Sequence, residues 1–168
     1  LIKTYGVSGS YNGYYLGTTA VKTSAANVIT VVINPSTGAA AISDAAGNSG
    51  TANVGAIGDS FTMAVNQEYN NSWELTSIVV TQAKEASGDS TAPSTLLEVG
   101  AISYSGWVAG TKNEYTVETN QTGGDITIVF TPTRNNWYSD GNNLLSVNGV
   151  SLIKTYGVSG SYNGYYLG

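Results

Sequence analysis

The seventeen residues LIKTYGVSGSYNGYYLG occupy positions 1–17 and recur unchanged at positions 152–168. An identity of that length at a fixed offset of 151 residues is an internal repeat rather than an accident of composition. It constrains the fold more than any other feature, because two identical segments cannot both fill one slot in one core. The expectation is that one copy completes the domain and the other is offered to, or borrowed from, a neighbour through a sheet edge. Residues 1–151 then form one repeat unit, and 152–168 are the start of the next unit or a donor strand. An engineered append of a donor strand gives the same physical outcome; a tail with no part in the fold is the plain alternative.

The sequence between the copies is strand-like. In Ser60–Val65 the apolar residues Phe61, Met63 and Val65 alternate with Ser60, Thr62 and Ala64, and in 125–131 Ile126, Ile128 and Phe130 do the same, as expected for strands with one buried face. Residues 28–33 and 77–81 are β-branched runs apolar on both faces, the pattern of central strands covered on each side. Residues 73–75 enter the second run with a break of parity that a bulge would explain. Further strands are expected at 96–103, 114–119 and 144–156, the last crossing from one repeat into the next.

Asn12-Gly13 and Asn163-Gly164 each stand between tyrosines, the signature of a type I′ hairpin turn, so the duplicated unit reads as a hairpin or a strand. Asn148-Gly149 carries a weaker signal of that kind. No helical periodicity lasts ten residues; 82–87 could supply one helical turn and 87–94 a loop. The fold class is therefore all-β, an immunoglobulin-like antiparallel β-sandwich with a duplicated terminal strand or hairpin, and strand-plus-turn spacing suggests roughly nine to twelve strands.

With 168 residues, 41% of them hydrophobic, the chain can bury the core of one domain. Charged residues are only 10%, against about a quarter in an average soluble chain, and the surface is rich in Gly, Ser, Thr and Asn, as in secreted β-proteins. Secretion or display at a cell surface is the expected location. Five lysines and Arg134 against eleven carboxylates, with a pI near 4.4, leave no basic stripe for nucleic acid or anionic membranes. No run of 18 apolar residues occurs, and the first residues lack the charged and apolar regions of a signal peptide, so membrane insertion is not expected and the chain reads as a mature segment.

Cysteine and histidine are both absent. This removes disulfides, Cys–His and Ser-His-Asp catalysis, and classical zinc sites. Of the eleven carboxylates no two converge by spacing into a glycosidase pair; Glu68 and Glu74 flanking a turn come nearest. The expectation is a protein that is not an enzyme and needs no cofactor.

The segments GDSFTMAV, WELTSIVVTQ and GWVAGTKNEYTVETNQTGGDITIVFTPT, within 58–133, resemble immunoglobulin-like repeats of large prokaryotic cell-surface proteins and adhesins. The resemblance implies a stalk or fibre role, with array length setting reach and no catalytic residues. The terminal duplication is also similar to what donor-strand-complemented pili require. Residues 126–149, ITIVFTPTRNNWYSDGNNLLSVNG, resemble calcium-dependent carbohydrate-binding modules that bind xylan, which hold calcium through several carboxylates.

Eight of the twelve tyrosines lie in the two copies. Tyrosine combines a large stiff ring with one polar tip, which suits a recurring interface or a cross-strand ladder. The expected intermodule residues are Leu1, Ile2, Tyr5, Tyr11, Tyr14, Tyr15, Leu152, Ile153, Tyr156, Tyr162, Tyr165 and Tyr166, joining copies of the chain head to tail. Trp137 and Tyr138, flanked by Asn135, Asn136, Asn142 and Asn143, could form a sugar platform, with Trp137, Tyr138 and Asn142 as its contacts and a surface glycan as partner. The alternative is a loop whose Trp137 plugs the sandwich end.

A calcium site needs six to eight oxygens, typically with more than one carboxylate. Asp140 brings one, with Asp44, Asp59 or Asp89 as distant help, and no metal is expected. A Lys–Asn isopeptide link would draw on Lys3, Lys22, Lys84, Lys112 or Lys154, but no spacing selects one. Asn70 and Asn120 sit in N-glycosylation patterns.

Overall fold

The computed structural model describes residues 11–12, 14–16, 19–21, 28–45, 47, 49–65, 72–84, 92–104, 113–136, 143–155, 162–163 and 165–167. All regular structure among them is β-strand: β1 (Tyr11–Asn12), β2 (Tyr14–Leu16), β3 (Thr19–Val21), β4 (Ile29–Ile33), β5 (Ala39–Asp44), β6 (Ser49–Asn53), β7 (Ser60–Val65), β8 (Ser72–Gln82), β9 (Ser94–Val99), β10 (Ile102–Tyr104), β11 (Asn113–Glu118), β12 (Ile126–Asn136), β13 (Asn143–Val147), β14 (Val150–Thr155), β15 (Tyr162–Asn163) and β16 (Tyr165–Leu167).

All but β1 and β15, which pair with each other, make a β-sandwich of two mainly antiparallel sheets. One sheet runs β10-β8-β12-β4-β5-β6, with β9 also on β8; the other runs β11-β7-β13-β14-β16-β2-β3. The sheets meet with β11 against β9 at one side and β6 against β14 and β16 at the other. Between them lies a single core in which Ile29, Val31, Ile33, Ile42, Ile78, Val80, Ile126, Ile128 and Phe130 from the first sheet face Phe61, Met63, Val65, Val117, Leu145, Val147, Leu152 and Ile153 from the second.

Alternation places these residues. Along β5 exposed and buried residues follow one another from Ala39 to Asp44, and along β4 Ile29, Val31 and Ile33 point inward while Thr30 and Val32 are half-buried. The two β-branched runs expected to be covered on both faces are indeed central: β4 lies between β12 and β5, and β8 between β12 and β9. Their outward residues Thr30, Val32 and Val79 are half-buried, and Val28 is exposed. Side-by-side branched residues in a wide sheet shield one another without a second covering layer.

The parity break at 73–75 is a register shift. On β12, Thr131 pairs with Ser77 but Pro132 pairs with Leu75, and Arg134 pairs with Glu74, so the register shifts on both sides of Pro132. The bulge swaps the parity of β8, which lets Leu75 and Ile78 both be buried three positions apart. Pro132 lies beyond Phe130↔Ile29, the last pair of β12 with β4, where the missing N–H costs no ladder bond on that side. The strand expected at 96–103 is divided at Gly100-Ala101 into β9 and β10, which pair with Ile78–Gln82 and Trp73–Leu75 of β8, so the interruption falls opposite the bulge.

Sixteen strands stand among the described residues, where roughly nine to twelve were expected. The surplus comes from short pieces of the duplicated segments and from divided strands. The strand expected to run unbroken over 144–156 is instead a hairpin: Asn148 and Gly149 have φ of 49° and 76°, the two left-handed positions of a type I′ turn, and β13 and β14 pair across them. The turn is also tied to β7, since the Asn148 N–H donates to the Thr62 carbonyl at 2.9 Å and the Thr62 N–H donates to Asn148 Oδ1 at 3.1 Å. A second left-handed glycine, Gly38 (φ 73°), sits so close to the Gly55 backbone that a Cβ there would overlap the Gly55 carbonyl.

One buried polar residue closes the sandwich end. Gln82, 2% exposed, lies on the same inward parity as Ile78 and Val80. Its Nε2 donates to the Asn120 and Gly124 carbonyls at 2.9 and 3.2 Å, and its Oε1 accepts the Asn120 N–H at 2.8 Å, so the side chain stands in for a strand partner to the loop between β11 and β12. Gln82→Ala is expected to cost about 1–3 kcal/mol by urea denaturation, because it removes three part-buried hydrogen bonds to the loop together. A loss under about 0.5 kcal/mol would mean that water satisfies the loop equally well.

Candidate functional site

The duplicated segment begins inside the core. β14 runs from Val150 through Thr155 without interruption, across the boundary between residue 151 and the second copy. The first two residues of that copy, Leu152 and Ile153, are both fully buried. Strict alternation would put only one of them inside. Both reach the core because Leu145 of β13 pairs with Ile153 while the next residue, Ser146, pairs with Ser151, leaving Leu152 as the extra residue of a register shift.

The second copy then folds back on itself. Ile153, Lys154 and Thr155 pair antiparallel with Leu167, Tyr166 and Tyr165, so β14, which enters the second copy, and β16, which lies within it, are neighbours in the second sheet. Gly13 and Gly164 of the expected hairpin turns lie outside the described residues; among the described strands β1 pairs with β15 rather than β2, and β16 pairs with β14 and β2 rather than β15. The reason is competition for strand edges. β2 has Thr19–Val21 on one edge and β16 on the other, while β16 has β14 and β2, which leaves no edge for the residues before each Asn-Gly.

The two copies also pair with each other. β2 lies parallel to β16 with Tyr15 opposite Tyr166 and Leu16 opposite Leu167; β1 lies parallel to β15 with Tyr11 opposite Tyr162 and Asn12 opposite Asn163. Every other pairing among the described strands is antiparallel. Each residue thus stands beside its own duplicate, the in-register arrangement that identical strands adopt when they stack. Of the expected interface residues, Tyr11, Tyr14, Tyr15, Tyr162, Tyr165 and Tyr166 lie on these short strands, and Leu152 and Ile153 lie in this chain's own core. Leu1, Ile2, Tyr5 and Tyr156 fall outside the described residues.

Ser151, immediately before the second copy, carries a buried Oγ with no hydrogen-bond partner among the described residues. An unpaired buried hydroxyl keeps its desolvation penalty. Ser151→Ala is therefore expected to hold or raise the melting temperature, by up to about 1 kcal/mol of added stability; a clear loss would show that the hydroxyl is bonded in solution.

The other sequence candidates are less informative. Trp137, Tyr138, Asp140 and Asn142 lie outside the described residues, while the strands that bracket them, β12 and β13, belong to different sheets. Asn70 is outside as well. Asn120 is exposed, and its Oδ1 accepts from the Thr122 N–H and hydroxyl at 3.1 and 3.0 Å. Among the described residues no three carboxylates group into a metal site, and no helix is long and apolar enough to cross a membrane. Sequence reasoning missed the role of Gln82, whose signal was a polar residue at the inward parity of an apolar strand. It also missed the pairing of one copy with the other, which no local pattern encodes.

No family model, curated protein or solved structure matches the chain. Beyond its class, an antiparallel β-sandwich, the chain's role has to be argued from its own geometry.

Proposed function

We propose that this chain is a non-enzymatic structural module of an extracellular filament, stalk or adhesin, of the immunoglobulin-like repeat kind, joined end to end with further copies through the duplicated segment by strand complementation. The observation that carries the reading is the burial of Leu152 and Ile153 on a strand that runs straight through the repeat boundary. A segment that begins in the core is part of the folded unit, and the same seventeen residues occur a second time in the chain. Low charge, abundant hydroxyl side chains and the absence of cysteine and histidine agree with a passive surface module.

The test is the solution mass and thermal stability of the chain beside versions lacking residues 1–17 or 152–168. Loss of 152–168 is expected to empty part of the core and either unfold the domain or force association. Loss of 1–17 is expected to leave the fold and abolish chain-to-chain association. Two deletions that both leave an unchanged stable monomer would end the proposal.

A further inference from the structure

The place held by the second copy is a defined slot. It is the edge of β13 away from β7, entered through Asn148-Gly149, and it requires two successive apolar residues at the register shift followed by a strand and its return. Residues 1–17 supply that sequence residue for residue. We propose that the slot accepts either copy, so that residues 1–17 of one chain replace residues 152–168 of another and link chains head to tail. The inference rests on the assembly role proposed above and adds which copy is donated and the position it takes in the next chain.

Exchange of this kind preserves the contacts made inside the slot, because donor and displaced segment are identical; what changes is connectivity, and the parallel ladders between the two copies of one chain are given up. In the closed chain the slot is filled across a two-residue turn, which gives the chain's own copy a high effective concentration and makes opening the slow step. The described residues of the first copy pair with the second in two short parallel ladders, Tyr11 and Asn12 on Tyr162 and Asn163, and Tyr15 and Leu16 on Tyr166 and Leu167, and with Thr19–Val21 on the other edge. Donation of the first copy exchanges the parallel ladders for the slot, and each chain carries one plug and one slot. A plug-to-slot contact between different surfaces does not close on itself, so it extends as an open chain of molecules.

The test uses three full-length variants. Leu152→Asp with Ile153→Asp denies the slot its own copy, since two carboxylates will not enter an apolar core. Leu1→Asp with Ile2→Asp disables the donor, and the third variant carries all four changes. Light scattering over a concentration series, with thermal unfolding of each sample, is expected to give a folded L152D/I153D protein whose mass climbs with concentration in multiples of the chain mass. L1D/I2D is expected to be a folded monomer and the fourfold variant an unfolded one. Excess synthetic LIKTYGVSGSYNGYYLG added to L152D/I153D is expected to cut the series back to folded monomer. If L152D/I153D is as unfolded as the fourfold variant, or is a folded monomer without peptide, exchange is overturned. In either case association of the unaltered chain, lost on removing 1–17, would still support an end-to-end joint made in another way.

Discussion

Leu152→Ala and Ile153→Ala together, in dilute protein, are expected to lower the unfolding free energy by about 4–8 kcal/mol, since truncating a buried Leu or Ile costs about 2–5 kcal/mol each. That approaches the whole stability of a domain this size, about 5–15 kcal/mol. The sum is large because both side chains are fully buried and neighbouring β13 contributes Leu144, Leu145 and Val147 to the same core, leaving no loose region to collapse into the space. Urea denaturation with an unchanged m-value would report it as a loss of packing. A loss below about 1 kcal/mol would mean that the second copy is peripheral, and the assembly reading would lose its main support.

Phe130→Ala is the second large effect, expected at about 3–5 kcal/mol. Phe130 is fully buried on β12, the strand flanked by β4 and β8, and is the register partner of Ile29 and Ile78 at once. Its removal would open a cavity between sheets at a position backed by main chain on both sides. The check is denaturation of this variant beside Phe130→Leu, which retains most of the volume and is expected to recover more than half of the loss. Equal losses would indicate that the ring's shape, rather than the filled volume, is what the core requires.

Much of the sandwich was legible where one face alone is buried. Phe61, Met63 and Val65, and then Ile126, Ile128 and Phe130, are all buried as their alternation predicts, with Ala64 on the other parity of β7 buried as well. The irregular parity at 73–75 pointed correctly to a bulge, because inserting one residue reverses every later side chain. Residues 144–156 were harder. Leu144–Leu145 and Leu152–Ile153 are apolar doublets on either side of Asn148-Gly149, and a doublet carries no parity, so strand and hairpin look alike until the turn is given weight.

For the candidate site, the sequence supplied the duplication but not its use. Which edges the two copies take is decided by competition among β3, β14 and the copies themselves, a property of the assembled sheet rather than of any window of residues.

That competition has a consequence for longer chains. A strand has a valence of two, one ladder on each edge, and in this chain the valences of Tyr14–Leu16 and Tyr165–Leu167 are both saturated. A copy lying between two repeats would have to act as β16 for the repeat before it and as β2 for the repeat after it. It would then owe ladders to its own first strand, to the preceding copy, to the following copy and to the next Thr-Ala-Val strand, four partners for two edges. The parallel stacking of copies is thus self-terminating at two. An array of repeats must give it up at every interior joint, leaving a consecutive meander in which one repeat's closing hairpin continues into the first strand of the next.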